Sequence, residues 1–281
     1  MASRWSRYPL FLLVLLSLLS STNILPTFSN RKTMQSVSMA AENSEPLPTI
    51  LDLSDLNKRN IGVLAGTIFD QVAENTLDYV SVIYFDNNSR MEEALIAGDI
   101  DAIWGDEPIM RQRAANNPLL RVLDEKVEES HFGFAFRRED SKLQGQVNAI
   151  IQEYIDNGEM NRLIEKWLHG SKDDHVVLPI SHTESGEVLR FATVNIMPPF
   201  AYTDDTDKLV GLDIELAEMI AMRLGRPLST QVANVSDLFS MLTLNKAEMI
   251  AGAITITPER SAIMSFSPGY FDTSVTALVR R

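Results

Sequence analysis

The sequence of 281 residues has no cysteine and only four histidines. Without cysteine the chain cannot form a disulfide bond, a thiolate nucleophile, a zinc–thiolate site or the lipid-modified cysteine of a bacterial lipoprotein. His175 and His182 lie in a polar segment and His131 in a predicted strand, which is not the grouping that a metal centre requires. We therefore expect neither a bound metal nor a cofactor.

Basic residues are scarce as well. There are 25 Lys and Arg against 38 Asp and Glu, for a net charge of −13, and no run of basic residues is longer than two. This balance argues against nucleic acid and anionic membrane surfaces as partners. With 45% hydrophobic and 22% charged residues, the composition is that of a globular protein with a sizeable core.

Long apolar runs are confined to the N-terminus. Leu10 to Leu19 follows Arg4 and Arg7, and it is too short to cross a bilayer comfortably but has the charge flank and length of a secretory signal. We expect residues 1–21 to be a signal peptide or an uncleaved anchor, and the polar residues 22–49 to be a disordered tether. Export to the periplasm follows from either form; a buried core helix is the other interpretation.

From Ile50 onward, apolar segments that predict strands alternate with segments that predict helices. A first βαβαβ set ends at Asp106, and a second begins after the polar stretch from Gly170 to Glu187, which has the composition of a linker. Since this alternation is typical of parallel sheets, we expect an α/β fold with two lobes. The predicted strands of the two sets are 60–66, 81–85, 99–106, 189–195, 228–233 and 247–257.

Polar residues cluster where these strands end. Thr67, which forms a potential helix cap, follows the first strand, and Asp106 ends the third. Thr255 closes the last strand, while Thr257, followed by proline, predicts a helix start with Arg260 in its first turn. Because ligands gather at the carboxyl ends of parallel strands, these groups are candidates for one site.

The charges of this set suit a zwitterion. The Arg260 guanidinium and the two helix starts favour a carboxylate, whereas Asp106 favours an ammonium group. An α-amino acid carries both groups. Each residue taken singly also has an ordinary structural role as a cap, a turn residue or a solvated helix residue, so the hypothesis depends on their joint placement.

Four segments carry a family resemblance: "GLDIELAEM" (from Gly211), "AITITPER" (from Ala253), "GVLAGT" (from Gly62) and "GDIDAIWGD" (from Gly98). On these motifs the chain resembles the family 3 extracellular solute-binding proteins of polar amino-acid ABC importers, over about Ile50 to Arg281. The resemblance implies a type II, two-lobed periplasmic binding fold. It also implies a monomeric, non-enzymatic carrier that presents an amino acid to the membrane permease of an ABC importer.

The resemblance assigns roles to individual residues. It implies that Arg260 binds the ligand carboxylate, that Asp106 binds the ammonium group, and that further contacts come from Thr255, the Ala253 carbonyl, Thr67 and Ile68. Ile68 departs from the threonine usual at this position.

The predicted side-chain pocket departs from the family as well. Val194 and Met197 stand where members often carry an acidic residue and an aromatic one, and Val235 adds an apolar wall. A cationic side chain would be unpaired there, so we expect a neutral amino acid, with Phe200 packed beneath it.

The family's parts occur here in rotated order. We expect lobe 2 at 50–130, a hinge strand at 131–138, helices docking on lobe 1 at 139–170, a linker at 171–187 and lobe 1 at 188–281. Circular permutation explains this order; a fragment of a tandem array is the alternative. A single crossover would then join the lobes, unless residues 46–51 pair with 276–281 to rebuild a missing strand.

Other functions fit the same fold. A membrane-anchored amino-acid sensor would use an uncleaved segment around Leu10 to Leu19. A dehydratase-like enzyme would need a general acid in the cleft, for which Asp106 or Glu107 could serve. A remnant that no longer binds ligand would agree with the substitution at Ile68.

Overall fold

The computed structural model describes residues 47–177 and 186–281. The predicted signal segment, nearly all of the tether, and residues 178–185 of the predicted linker lie outside this range. Within it, no helix combines the length and the apolar character needed to cross a membrane.

Lobe 2 is built on the first part of the chain and follows the predicted alternation of strands and helices. After a 3-10 turn at Leu53–Leu56, its elements are β1 (Asn60–Leu64), α1 (Phe69–Thr76), β2 (Ser81–Phe85), α2 (Asn88–Ala97), β3 (Ala102–Asp106), α3 (Glu107–Asn116), β4 (Leu120–Val122) and β5 (Val127–Phe132). Strand β1 pairs in parallel with β2 and β3, as the crossover helices require.

Lobe 1 is built on the following residues. Its elements are β6 (Ala135–Phe136), α4 (Ser141–Asp156), α5 (Glu159–Ile164) continued by a π-helical turn (Glu165–His169), a 3-10 turn (Lys172–Asp174), β7 (Leu189–Thr193), β8 (Ile196–Met197), β9 (Ala201–Thr203), β10 (Leu209–Val210), α6 (Leu212–Leu224), β11 (Leu228–Val232), α7 (Val235–Thr243), β12 (Met249–Ile250), α8 (Pro258–Ile263) and β13 (Ser265–Phe266). The sheet order is β11-β7-β12-β6-β13, and β8 to β10 form a small antiparallel sheet. The expected two-lobed α/β fold is confirmed.

The last strand, β14 (Phe271–Arg280), corrects the predicted lobe boundary. It belongs to the lobe 2 sheet, in the order β2-β1-β3-β14-β4, rather than to lobe 1 as the range 188–281 implied. It runs antiparallel to β3, β4 and β5. Val275, Leu278 and Val279 are fully buried. Val275 and Val279 pack in an apolar cluster with α1, and Leu278 packs in another with α2, so both faces of the strand are covered.

The same strand overturns two further expectations. The proposed pairing of residues 46–51 with 276–281 is wrong, since β3 and β4 occupy the two edges of β14 there. The lobes are joined twice, between β5 and β6 and between β13 and β14, instead of by one crossover. The two connections are hydrogen-bonded to each other: Tyr270 N donates to Phe132 O (3.0 Å), and Ser267 N donates to Phe134 O (2.8 Å).

A buried ion pair holds the turn Glu165–His169 against lobe 1. Glu215 of α6 accepts hydrogen bonds from Lys166 Nζ (2.6 Å) and Trp167 Nε1 (2.7 Å). Trp167 is 1% exposed and Glu215 5%, so these donors replace the water that the carboxylate loses on burial. The helices of residues 141–169 thus pack on α6.

Candidate functional site

One cleft collects residues from both lobes at the ends of their strands. Lobe 2 contributes the turn after β1, the start of α1 and the end of β3, and lobe 1 contributes the ends of β7 and β12, α7 and α8. The lining residues are Gly66, Thr67, Ile68, Phe69, Asp106, Val194, Met197, Val235, Leu238, Phe239, Gly252, Ala253, Ile254, Thr255 and Arg260. Nine of the ten residues predicted from the sequence are among them.

The Arg260 guanidinium lies inside this cleft. Thr257 caps α8 as predicted, its Oγ accepting from Arg260 N at 3.2 Å with Pro258 at the first helical position. The Arg260 side chain donates to Thr255 O (2.9 Å) and, across the cleft, to Gly66 O (3.3 Å). Burial lowers the pKa of Arg260 to about 10, against the opposing effect of Asp106, so the side chain is a cation at neutral pH.

The Asp106 carboxyl group ends β3 on the opposite wall and is only 4% exposed. Burial raises its pKa to about 7, against the lowering effects of a hydrogen bond from Thr273 Oγ (3.5 Å) and of the Arg260 charge. This carboxyl group therefore exchanges a proton near neutral pH. A cation beside it would favour its ionised form.

Arg260 and Asp106 face each other without forming a direct ion pair. Each charge shifts the pKa of the other group. No salt bridge joins the two side chains, however, in the described residues 47–177 and 186–281. The free space between the lining residues is about 30 Å³, which holds about two water molecules. A larger molecule requires Arg260 to move or the lobes to separate.

The turn before α1 differs from the predicted cap. Helix α1 begins at Phe69 after Ile68, and no side chain caps it. Thr67 Oγ instead donates to Leu64 O at 2.6 Å, because Gly66 turns the chain in a left-handed conformation (φ 86°). Thr67 and Ile68 still line the cleft with the start of the helix, where free backbone N–H groups suit an anion.

The remaining walls are apolar. Val194, Met197 and Val235 line the cleft as predicted, and Phe239 places its ring 4.7 Å from the Arg260 guanidinium carbon. Among the lining residues, only Asp106 and Arg260 are ionisable. A charged side chain of a bound molecule would therefore find no further counter-ion in this lining.

Phe200 is the one predicted site residue that does not line the cleft. It is fully buried and packs edge-on against Phe132 (4.9 Å between ring centroids) and Phe271 (5.0 Å). Those two residues stand at the ends of β5 and β14, where the chain crosses between the lobes. Phe200 therefore packs against the hinge rather than beneath a ligand.

The loop of Gly252 to Thr255 brings its backbone to the cleft. Ala253 has a left-handed conformation (φ 55°), and its N–H donates to the buried carboxylate of Asp213 at 2.8 Å. Thr255 is 3% exposed, and its carbonyl is used by Arg260. The predicted roles of Ala253 and Thr255 in ligand binding remain predictions.

Sequence reasoning missed six of the lining residues: Gly66, Phe69, Leu238, Phe239, Gly252 and Ile254. Two of these, Gly66 and Phe239, contact Arg260. Gly66 was visible only as the end of a strand, and its left-handed turn cannot be read from composition. Phe239 falls one helical turn after Val235 in α7, so the i, i+4 spacing would have placed both on one face.

The two lobes present a cation and an acid across one apolar cleft, an arrangement suited to a small zwitterionic molecule. In agreement, residues 189–281 match the sequence profile of the "Bacterial extracellular solute-binding proteins, family 3". The match covers about a third of the chain, and over these residues the chain resembles that family.

Similar proteins include the "Putative ABC transporter arginine-binding protein 2" of Escherichia coli (strain K12), 29% identical over 32% of this chain and 37% of that protein. The "Arginine-binding extracellular protein ArtP" of Bacillus subtilis (strain 168) is 32% identical over 44% of this chain and 50% of that protein. A solved structure of a mutant, arginine-bound domain 1 from TmArgBP is 30% identical over 34% of this chain and 78% of that chain, with a TM-score of 0.30. The chain spans between about a third and a half of the length of these curated relatives.

Proposed function

We propose that this protein captures an amino acid with an uncharged side chain between its two lobes and delivers it to the permease of an ABC importer. The observation that carries the proposal is the buried Asp106 facing the Arg260 guanidinium across one cleft. Arg260 would exchange its bond to Gly66 O for the ligand carboxylate, and Asp106 would accept the ammonium group. The start of α1, at Thr67 and Ile68, would provide backbone donors for the same carboxylate.

The side-chain preference follows from the walls. Val194, Met197, Val235 and Phe239 offer apolar surface, and a cationic side chain would lose water there without gaining a counter-ion, at a cost of several kcal/mol. The named relatives bind arginine, and we propose that this chain does not. Binding would occur by closure of the lobes around the amino acid, which removes water and strengthens the two charged contacts.

The working place of such a carrier is outside the cytoplasmic membrane. The match to an extracellular family supports a periplasmic location, as does the apolar run from Leu10 to Leu19 behind two arginines. Its partners would be the amino acid and the permease, and it would act as a monomer.

We propose that the order of the parts arose by circular permutation. Arg281 donates to the carbonyls of Leu119 (2.9 Å) and Leu120 (3.0 Å), while Arg121 donates to the carbonyl of Ile50. The end of β14 and the start of lobe 2 thus lie beside the same three residues, so a short peptide could join them. This proximity is what a circular permutation requires.

The test is a thermal-shift screen of residues 47–281 against L-alanine, L-leucine, L-methionine and L-arginine. A ligand that binds the native state raises its melting temperature by mass action. We expect a rise with at least one of the uncharged amino acids and none with L-arginine. Arg260→Ala should abolish the rise, whereas the control Arg223→Ala, which removes an exposed guanidinium paired with Glu153, should keep it.

Two outcomes would reject the proposal. A rise that survives Arg260→Ala would place binding elsewhere, and a rise with L-arginine alone would reject the uncharged side chain.

An enzymatic role is the second candidate, because an acid with a pKa of about 7 is suited to general acid catalysis at neutral pH. Asp106 is the one carboxyl group in the cleft lining. We favour binding without turnover. If one-dimensional proton NMR showed the bound amino acid being consumed by the wild type and not by Asp106→Asn, the enzymatic role would replace it.

A further inference from the structure

The aspartate of the "GLD" segment, Asp213, has no role in the site described so far. It is the second residue of α6 and is completely buried. Its Oδ2 accepts a hydrogen bond from Ala253 N (2.8 Å), and its Oδ1 accepts one from the Tyr270 hydroxyl (2.6 Å). One carboxylate is thus shared by two segments, which lie 40 and 57 residues from it in the sequence.

The first of these segments is the cleft loop. Ala253 lines the cleft and adopts a left-handed conformation with φ 55°, which costs about 1 to 2 kcal/mol for a residue with a side chain. The hydrogen bond to Asp213 holds the N–H of that residue and so contributes to the orientation of its peptide groups, including the carbonyl expected to face a ligand.

The second segment is the hinge. Tyr270 lies between β13 and β14, in one of the two connections that join the lobes. Its N–H donates to Phe132 O (3.0 Å) in the other connection, and its ring packs against Phe134 at 5.5 Å between centroids. The Tyr270 hydroxyl therefore ties both connections to Asp213.

A buried carboxylate in this position calls for an explanation beyond stability. Burial raises the pKa of Asp213 to about 6, although hydrogen bonds from Tyr270, Ala253 and Gly252 act to lower it. Replacing buried ionic groups by apolar ones of similar size is often neutral or stabilising. Unlike an apolar side chain, the carboxylate provides two hydrogen-bond acceptors, its two oxygens, on one rigid group.

We propose that Asp213 is a positioning residue that couples the hinge to the cleft loop. Lobe movement changes the path of the connection that carries Tyr270, and Asp213 transmits that change to the peptide groups of Gly252 and Ala253. Since coupling between two sites is reciprocal, a molecule that fixes the loop would also bias the hinge. Only this last step rests on the proposed function.

The test uses amide hydrogen exchange of residues 47–281 without any amino acid present. In Tyr270→Phe, the amides of Gly252 and Ala253 should exchange at least about tenfold faster than in the wild type. In Asp213→Asn, which weakens one of the two bonds, the amide of Tyr270 should accelerate as well. Tyr154→Phe is the matched control, because it removes the hydroxyl of another buried tyrosine in lobe 1.

Two results would overturn the coupling. One is unchanged exchange at Gly252 and Ala253 in Tyr270→Phe. The other is a uniform acceleration of the amides of both lobes, which a purely structural loss of stability would produce. Melting temperatures measured in parallel with L-leucine and L-methionine test the proposed function separately. If the wild type binds neither amino acid, the proposed function fails, while the hydrogen-exchange result still decides whether the coupling exists.

Discussion

Gly66 should act as the point on which the lobes close. A Cβ atom added there would lie 2.8 Å from Ser236 Cα and 2.9 Å from its N, at the start of α7 in the opposite lobe. Non-bonded carbon atoms prefer about 3.5 to 4.0 Å, so Gly66→Ala should push the lobes apart by about 1 Å at this contact. The bond from Arg260 to Gly66 O, already 3.3 Å long, would be lost.

The backbone effect of this substitution can be separated from the contact. Gly158 has nearly the same left-handed conformation, φ 83° against 86°, but no atom lies within 4 Å of its added Cβ. Both alanine variants should lose about 1 to 2 kcal/mol of unfolding free energy through the strained φ. Only Gly66→Ala should also alter the distance between the lobes.

The assay is a spin-label distance measurement, which the absence of cysteine makes simple. Cysteines introduced at the exposed Tyr84 in lobe 2 and Val232 in lobe 1 would carry the labels, and urea unfolding would report stability. We expect a longer or broader distance distribution in Gly66→Ala and an unchanged one in Gly158→Ala. Identical distributions in the two variants would refute the idea that the Gly66 contact sets closure.

Three further predictions concern Asp106, Asn88 and Lys166. Asp106 has a pKa of about 7 in the native state, so between about pH 4 and pH 7 the native protein keeps this proton while the unfolded chain has lost it. The unfolding free energy should therefore fall by about 4 kcal/mol as the pH rises through that range. Urea unfolding at several pH values should show Asp106→Asn without this part of the slope, and an unchanged slope would contradict the assignment. Asn88→Ala removes a 2.7 Å hydrogen bond to the Ile196 carbonyl of lobe 1 and should lengthen the interlobe distance measured with the spin labels. The control Asn60→Ala removes a hydrogen bond within lobe 2 and should leave that distance unchanged. Equal effects of the two variants would argue against an interlobe role for Asn88. Lys166→Ala leaves a buried carboxylate without its ion pair and should cost about 3 to 5 kcal/mol in urea unfolding, and a loss below about 1 kcal/mol would show that water reaches the pair.

Much of the site could be predicted because local chemistry determines it. Thr257 followed by proline fixes the start of α8 and thereby the place of Arg260, and the buried run before Asp106 ends where β3 ends. The carboxyl ends of parallel strands meet at one edge of a sheet. Residues assigned from short motifs in different parts of the chain therefore came together in one cleft.

What could not be predicted depends on partners distant in sequence. Residues 276–279 read as an apolar strand, but nothing in them identifies the sheet to which they belong. The place of Phe200 against Phe132 and Phe271 requires the second connection between the lobes, which was not foreseen. The shared bonds of Asp213 were hidden for the same reason, since Tyr270 lies 57 residues away.

The place of β14 also bears on how the protein acquires its structure. The strand lies between β3 and β4, and its Thr273 contacts Asp106, 167 residues away in the chain. Contacts of such sequence separation form slowly, because a long loop must close before they are made. Lobe 2 precedes lobe 1 in the sequence, yet its sheet is incomplete without β14, so we expect lobe 1 to be the first part to gain a stable core.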